Sequence, residues 1–268
     1  IAAEAQAIDP NCTAKTSKVI EAQDDPESVF VYWDTNSSRA EIDVISAKLE
    51  GLKVAIVGVG GTGSYVLDFV AKTPVREIHL FDQDSFLSHN AFRAPGAAPI
   101  ETLHEQPKKV NYLHGVYSKM HKYVIPHDHY LTEATLGELA GMSFAFLCID
   151  QGGPKAAIIK YLVDAGIPFV DVGIGIHAID EKLTGSVRVT TVTPAKRDHI
   201  DQRISLADGA QADDYDKNIQ IAEINALNAT LAVIKWKKLL GFYHDLEHEH
   251  HAAYEINVNK IFNDEAHA

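Results

Sequence analysis

The chain has 268 residues, 46% of them hydrophobic, enough to bury the core of one large α/β domain or of two small ones. Its formal charge of −13 argues against nucleic acid as the main partner, because phosphate backbones are bound through clustered Lys and Arg. No apolar run approaches the roughly 18 residues of a membrane span, no signal segment leads the sequence, and Cys12 and Cys148 are too far apart to form a motif, so a soluble protein of the reducing cytoplasm is expected.

Residues 1–27 are polar and read as loosely ordered, and the stretch "VFVYWDTNSSRAEIDVI" after them carries apolar residues able to dock on the core of the protein. Residues 1–50 are therefore expected to be an extension docked on a single domain formed by 51–268. From Lys53 onward, β-branched runs at 53–57, 77–81, 144–149, 169–172 and 186–192 alternate with helical patterns at 62–72, 109–121 and 154–165. This alternation predicts an α/β fold, a Rossmann-like doubly wound and mostly parallel sheet with helices on both faces. Residues 193–216 are polar and read as a mobile loop or crossover. A long closing helix is expected over 218–240, ended by Gly241, with Asn225 and Asn228 on its apolar face as partners for buried backbone groups. Beyond it, His244, His248 and His251 are spaced to share a helical face that suits a metal ion, while Asp245, Glu247 and Glu249 among them suit a solvated surface equally well.

The segment "KVAIVGVGGTGSYVLDFV" places Gly58, Gly60 and Gly63 in a G-x-G-x-x-G pattern between a strand and a helix. Glycines let the backbone approach a phosphate, and the positive end of the helix attracts it. Asp82 lies 19 residues beyond Gly63 at the end of the second strand, where an acid accepts hydrogen bonds from a ribose. This much fits NAD and ATP alike. The next segment, "FDQDSFLSHNAFR", separates them: two acids, an Asn and an Arg within a few residues suit a highly charged ligand. Asn90 and Arg93, three apart, are expected to face one side of a short helical turn. Lys109 opens the next helix and is preferred over Lys108 because Leu113, Val116 and Met120 then fall on one helical face. Asp150 ends the strand "FAFLCID". All these strand ends lie on the carboxyl edge of the sheet, where open α/β sheets bind ligands.

Taken in order, "VGVGGTGS", "FDQDSFLSHNAFR", "QPKKV" and "CID" before an apolar helix resemble the ThiF-like adenylation domain of the ubiquitin-activating enzyme family, over about 52–192, and the closing helix is similar in place to that family's. The resemblance implies that Gly58, Gly60, Gly61 and Gly63 cradle ATP and Asp82 holds its ribose. It also implies that Asn90, Arg93 and Lys109 grip the phosphates and that Asp150 binds Mg²⁺. The implied reaction joins the C-terminal carboxylate of a ubiquitin-like or sulfur-carrier protein to the α-phosphate of ATP and releases pyrophosphate. The family's layout further implies a homodimer in which Arg39 reaches the partner's ATP.

Two common family features are missing: the sequence has no CxxC pair for zinc, and no cysteine follows Phe169 to take the acyl group. Cys148, inside a predicted strand, reads as a small buried hydrophobe. An NAD(P)-dependent oxidoreductase and a non-catalytic scaffold subunit are the competing readings.

Overall fold

The computed structural model describes residues 26–150, 152–206 and 219–263, and in isolation residue 7. In chain order its elements are α1 (Thr35–Arg39), α2 (Asp43–Ser46), β1 (Lys53–Val57), α3 (Gly61–Val70), β2 (Glu77–Phe81), α4 (Ser88–Ala91), α5 (Ile100–Glu105), α6 (Lys109–Tyr117) and β3 (Val124–His127). Next come β4 (Phe144–Leu147), α7 (Gly152–Asp164), β5 (Phe169–Ile179), β6 (Lys182–Val192), α8 (Ile200–Arg203), α9 (Ala222–Leu239), β7 (His251–Glu255) and β8 (Lys260–Asn263).

One sheet of eight strands runs in the order β3-β2-β1-β4-β5-β6-β7-β8. The pairs from β3 to β5 are parallel, as expected. The pairs from β5 to β8 are antiparallel and extend the sheet beyond the reading from sequence. The strand period of two splits the core. Val54 and Ile56 of β1 face a cluster completed by Val66, Leu67 and Val70 of α3 and by Ala229, Val233 and Trp236 of α9. Ala55 and Val57 of the same strand face Ile158, Ile159 and Leu162 of α7 on the other side. A parallel strand buried on both faces must be apolar; β4 is so throughout and β1 from Val54 onward.

Two departures from the expected elements have physical causes. β3 carries Pro126, which removes a backbone donor; it is tolerated because β3 is the edge of the sheet. β5 and β6 are 11 residues each, far longer than the runs read from sequence. They are joined by Asp180 and Glu181, whose φ of 49° and 59° give the paired positive-φ geometry of a tight hairpin without the usual Asn-Gly signal. The last turn of α9 closes as expected at Gly241: with φ 68°, its N–H donates to the Lys238 carbonyl and that of Phe242 to the Lys237 carbonyl. The start of α9 at Ala222 is later than expected, and Asn218 lies outside the described residues. Within 193–216 the short α8 forms, and 207–216 also lies outside.

Ahead of β1, Phe30 pairs with His121 by backbone and meets its ring edge-on at 5.9 Å, and Val31 N–H donates to the Met120 carbonyl. The residues after Gly241 do not continue as a helix. His244 and His248 lie in irregular segments and His251 opens β7, so these three histidines share no helical face. Asp245 and Glu249 are not solvated either; Lys235 and Lys238 of α9 pair with both at 3.0–3.4 Å.

Candidate nucleotide site

The carboxyl ends of the parallel strands open into a cavity of about 750 Å³. Its floor is the turn from β1 into α3. Gly58 has φ 83°, and a Cβ there would stand 2.7 Å from the Cys148 carbonyl oxygen. Gly60 faces open space, as a phosphate approach requires. The first N–H groups of α3 have no intrahelical acceptors, so the positive end of a 10-residue helix faces the cavity. The other two glycines do different work. A Cβ on Gly61 would fall on the Asn225 amide, so this glycine also lets α3 and α9 pack. Gly63 does not line the cavity at all: a Cβ there would meet the Gly58 carbonyl, so its place is close helix–strand packing rather than the expected cradle.

At one end of the cavity the Asp82 carboxylate, 6% exposed, accepts the Val59 N–H at 3.0 Å and the Asp84 N–H at 2.8 Å. The buried Lys109 Nζ lies 2.6 Å from Asp84 Oδ2 and 3.6 Å from Asp82 Oδ2. Tyr130 donates its hydroxyl to the other Asp84 oxygen, and that bond, with burial, pushes the Tyr130 pKa up to about 12. Burial raises the Asp84 pKa, but the Lys109 and Tyr130 hydrogen bonds outweigh it and hold the carboxyl below its ordinary value. Lys108 instead donates to the Gln83 carbonyl on the surface, so Lys109 is the lysine in the cavity. The helical face differs from the one expected: Val110, Leu113 and Tyr117 are buried, whereas Val116 is 38% exposed.

Asn90 and Arg93 do not stand side by side. Asn90 Oδ1 accepts the Leu87 N–H at 2.9 Å, closing the first turn of α4, and the residue is buried behind the wall that Arg93 lines. Both nevertheless hold unspent donors, since Asn90 Nδ2 and Arg93 Nε are buried with no hydrogen-bond partner among the described residues. Burial lowers the Arg93 pKa and the nearby Asp150 carboxylate partly offsets this. Asp150 itself is exposed on the cavity lining, just past β4. Cys148 lines the cavity too, and burial, followed by the Asp171 carboxylate, pushes its thiol pKa up, which disfavours a thiolate nucleophile. Cys12 lies outside the described residues.

The opposite end of the cavity carries no signal in the sequence. Asp171 of β5 is fully buried and pairs with Lys155, from the first turn of α7, and with Arg188 Nη1 of β6 at 2.7 Å. The hairpin register brings this about: Arg188 stands opposite Gly173, diagonal to Asp171, and Gly173 leaves the space its guanidinium fills. Asn225 and Asn228 bond as expected. Asn225 takes the Thr62 hydroxyl and donates to the Ile221 carbonyl, and Asn228 donates to the Gly173 carbonyl. Arg39 is exposed on α1, is not part of the cavity lining, and makes no ion pair among the described residues.

Comparison with known proteins agrees with this outline. A family model described as the ThiF family matches residues 39–242. Among curated proteins, the tRNA threonylcarbamoyladenosine dehydratase of Escherichia coli K12 is 26% identical over 129 residues, 45% of this chain, and the chain spans about half, 45%, of that relative's length. Among solved structures, E. coli MccB with succinimide aligns at TM-score 0.67 and 18% identity over 86% of this chain and 71% of that one. E. coli MccB with ATP aligns at 0.63 and 19%, over 85% and 67%. SeMet PaaA aligns at 0.64 and 18%, over 83% and 66%. At these identities the structures share the fold.

Proposed function

The chain belongs to the ThiF family, and from that premise we propose that it is an adenylyltransferase-type activating enzyme acting on the C-terminal carboxylate of a ubiquitin-like or sulfur-carrier protein. The observation that carries this reading is the open helix N-terminus behind the glycine turn, with the unspent buried donor Arg93 Nε on the wall of the same cavity. Such donors suit a polyphosphate better than an apolar or neutral ligand. The solved complexes of MccB with ATP and with MccA support a nucleotide and a peptide as the two substrates.

The attacking carboxylate is ionised at neutral pH and needs no general base. The difficulty is to bring two anions together and to stabilise charge moving onto the pyrophosphate. Arg93 and Lys109 are the cations placed for that, and the α3 N-terminus adds fixed N–H groups. Asp82 holds the ribose and the turn at Gly58 and Gly60 receives the phosphates, which converts the encounter into a positioned one. Mg²⁺ is a hard ion that takes oxygen ligands and keeps several waters. The exposed Asp150 on the cavity lining suits it, and such an ion neutralises phosphate charge when bound. In a homodimer, the exposed Arg39 would be supplied to the partner's cavity. The tRNA substrate suggested by the name of the E. coli relative is less well matched by a chain of net charge −13.

Exchange of labelled pyrophosphate into ATP, run with candidate carrier proteins, tests the reading. Arg93→Ala and Asp150→Ala are each expected to abolish exchange while the circular dichroism spectrum stays that of the wild type. Wild-type exchange in either variant contradicts the assignment.

A further inference from the structure

Away from the nucleotide site, one group of metal-ligating side chains stands together among the described residues: His127, His129 and Glu138 offer one ligand atom each within 4.8 Å of one another. His127 ends the edge strand β3 and His129 lies two residues on, at a bend, with the two rings meeting edge-on at 5.8 Å. Glu138 comes from the 3₁₀ turn Leu136–Leu139. Its two oxygens divide between the rings: Oε2 is 3.1 Å from His127 Nδ1 and Oε1 is 3.1 Å from His129 Nε2. An ion bound tetrahedrally at about 2.0–2.1 Å from its ligands holds them about 3.3 Å apart, and each ring nitrogen already stands near that distance from one oxygen of Glu138.

The ring of His127 is held from behind as ligand histidines are. Its Nε2 lies 3.0 Å from His79 Nδ1, His79 Nε2 lies 3.1 Å from Glu77 Oε2, and Lys53 pairs with the same Glu77 oxygen at 2.8 Å. The Phe81 ring stacks on His127 at 4.2 Å and 12°, fixing its plane. A chain of partners on the far ring nitrogen sets which nitrogen is free to ligate. On the near side the His129 and Glu138 side chains are each more than a third exposed, while His129 Nε2 itself is buried with no hydrogen-bond partner among the described residues.

We propose that His127, His129 and Glu138 form a binding site for a borderline divalent ion of the zinc class, with a fourth position left to water. Two imidazoles and one carboxylate are a nitrogen-rich set that suits zinc or cobalt and is poorly matched to magnesium or calcium. The ion ties β3 to the 3₁₀ turn and so pins the loop between them. That loop carries Tyr130, which holds Asp84, together with Leu131 and Thr132 of the cavity wall. The site is independent of which reaction the cavity performs. It also differs from the histidine-rich stretch near His248, which serves as the internal control.

The test uses the full chain, stripped with chelator and titrated with Co²⁺ and then Zn²⁺. The expected result is one equivalent of Co²⁺ with the visible absorption of a four-coordinate ion, displaced by Zn²⁺, and a rise in Tm on adding Zn²⁺. His129→Gln and Glu138→Gln, at partly exposed positions that leave the core untouched, are each expected to lose that equivalent. His79→Gln should weaken it by roughly 10–100-fold. The double variant His248→Gln/His250→Gln should keep it. Absence of a four-coordinate Co²⁺ signal in the wild type overturns the proposal, and so does its survival in both Glu138→Gln and His129→Gln, or its loss in the control.

Discussion

The two ends of the cavity are built from the same charges but are held differently. At one end Lys109 faces Asp82 and Asp84, yet the Asp82 oxygens are already bonded to the backbone N–H groups of Val59 and Asp84, and the Asp84 side chain is half exposed. At the other end Asp171 is fully buried between two cations, Lys155 and Arg188, with Lys155 buried as well. Charge at the first end is shared with amides and solvent, so Lys109 can turn to an incoming polyanion at small cost. Charge at the second end is locked, and there it ties the hairpin to α7. A cation near a site is thus available to a substrate only where its counter-charge has another means of satisfaction.

The sharpest way to break this contrast is to remove the locked carboxylate. Asp171→Ala leaves two cations without their partner, Lys155 among them in a fully buried place, and is expected to cost about 3–5 kcal/mol of stability in urea unfolding. A cost below about 1 kcal/mol would mean that the far end is solvated after all. Next in size is Gly61→Ala, whose new methyl falls on the Asn225 amide between α3 and α9. A loss of about 1–3 kcal/mol is expected from the forced repacking, read by the same unfolding curves.

The smallest effect belongs to the open end. The folded-state pKa of Asp84 is depressed, so its contribution is fully present above the ordinary aspartate value of about 3.9 and is lost as pH falls through the lower folded value. Asp84→Asn should therefore flatten the acid limb of the stability profile slightly and leave the shape of the neutral region unchanged. An unaltered acid limb would show that Lys109 and Tyr130 do not hold this carboxyl.

The same contrast explains what is legible in the sequence. Gly58, Asp82 and Asp150 are read off because parallel strands and helices alternate with clear periods, and because each strand end delivers the residues after it to the same edge without any knowledge of register. Asp171 and Arg188 become neighbours only through an antiparallel register set by a hairpin turn at Asp180 and Glu181, a dipeptide that carries no turn signal of its own. Gly173, which makes room for Arg188, reads in isolation as a break in the strand. Pro126, which only an edge strand tolerates, hides β3, and with it His127 as the end of a strand. The histidines near His248 are conspicuous by number, whereas the grouping of His127 and His129 with Glu138 depends on a strand and a 3₁₀ turn that periodicity does not reveal. Helical spacing favours Lys109, the lysine that lines the cavity, over Lys108, but through Val116, which proves exposed; the buried face runs through Val110 and Tyr117 instead.

The central claim is that the open end receives the phosphates of ATP. Calorimetric titration of Mg·ATP into the wild-type chain and into Arg93→Ala, with NAD⁺ as the competitor, tests it most directly. The account predicts one equivalent of ATP bound by the wild type, undisturbed by NAD⁺, and a loss of that binding in Arg93→Ala. Equal ATP affinity in the two proteins, or displacement of ATP by NAD⁺, would contradict it.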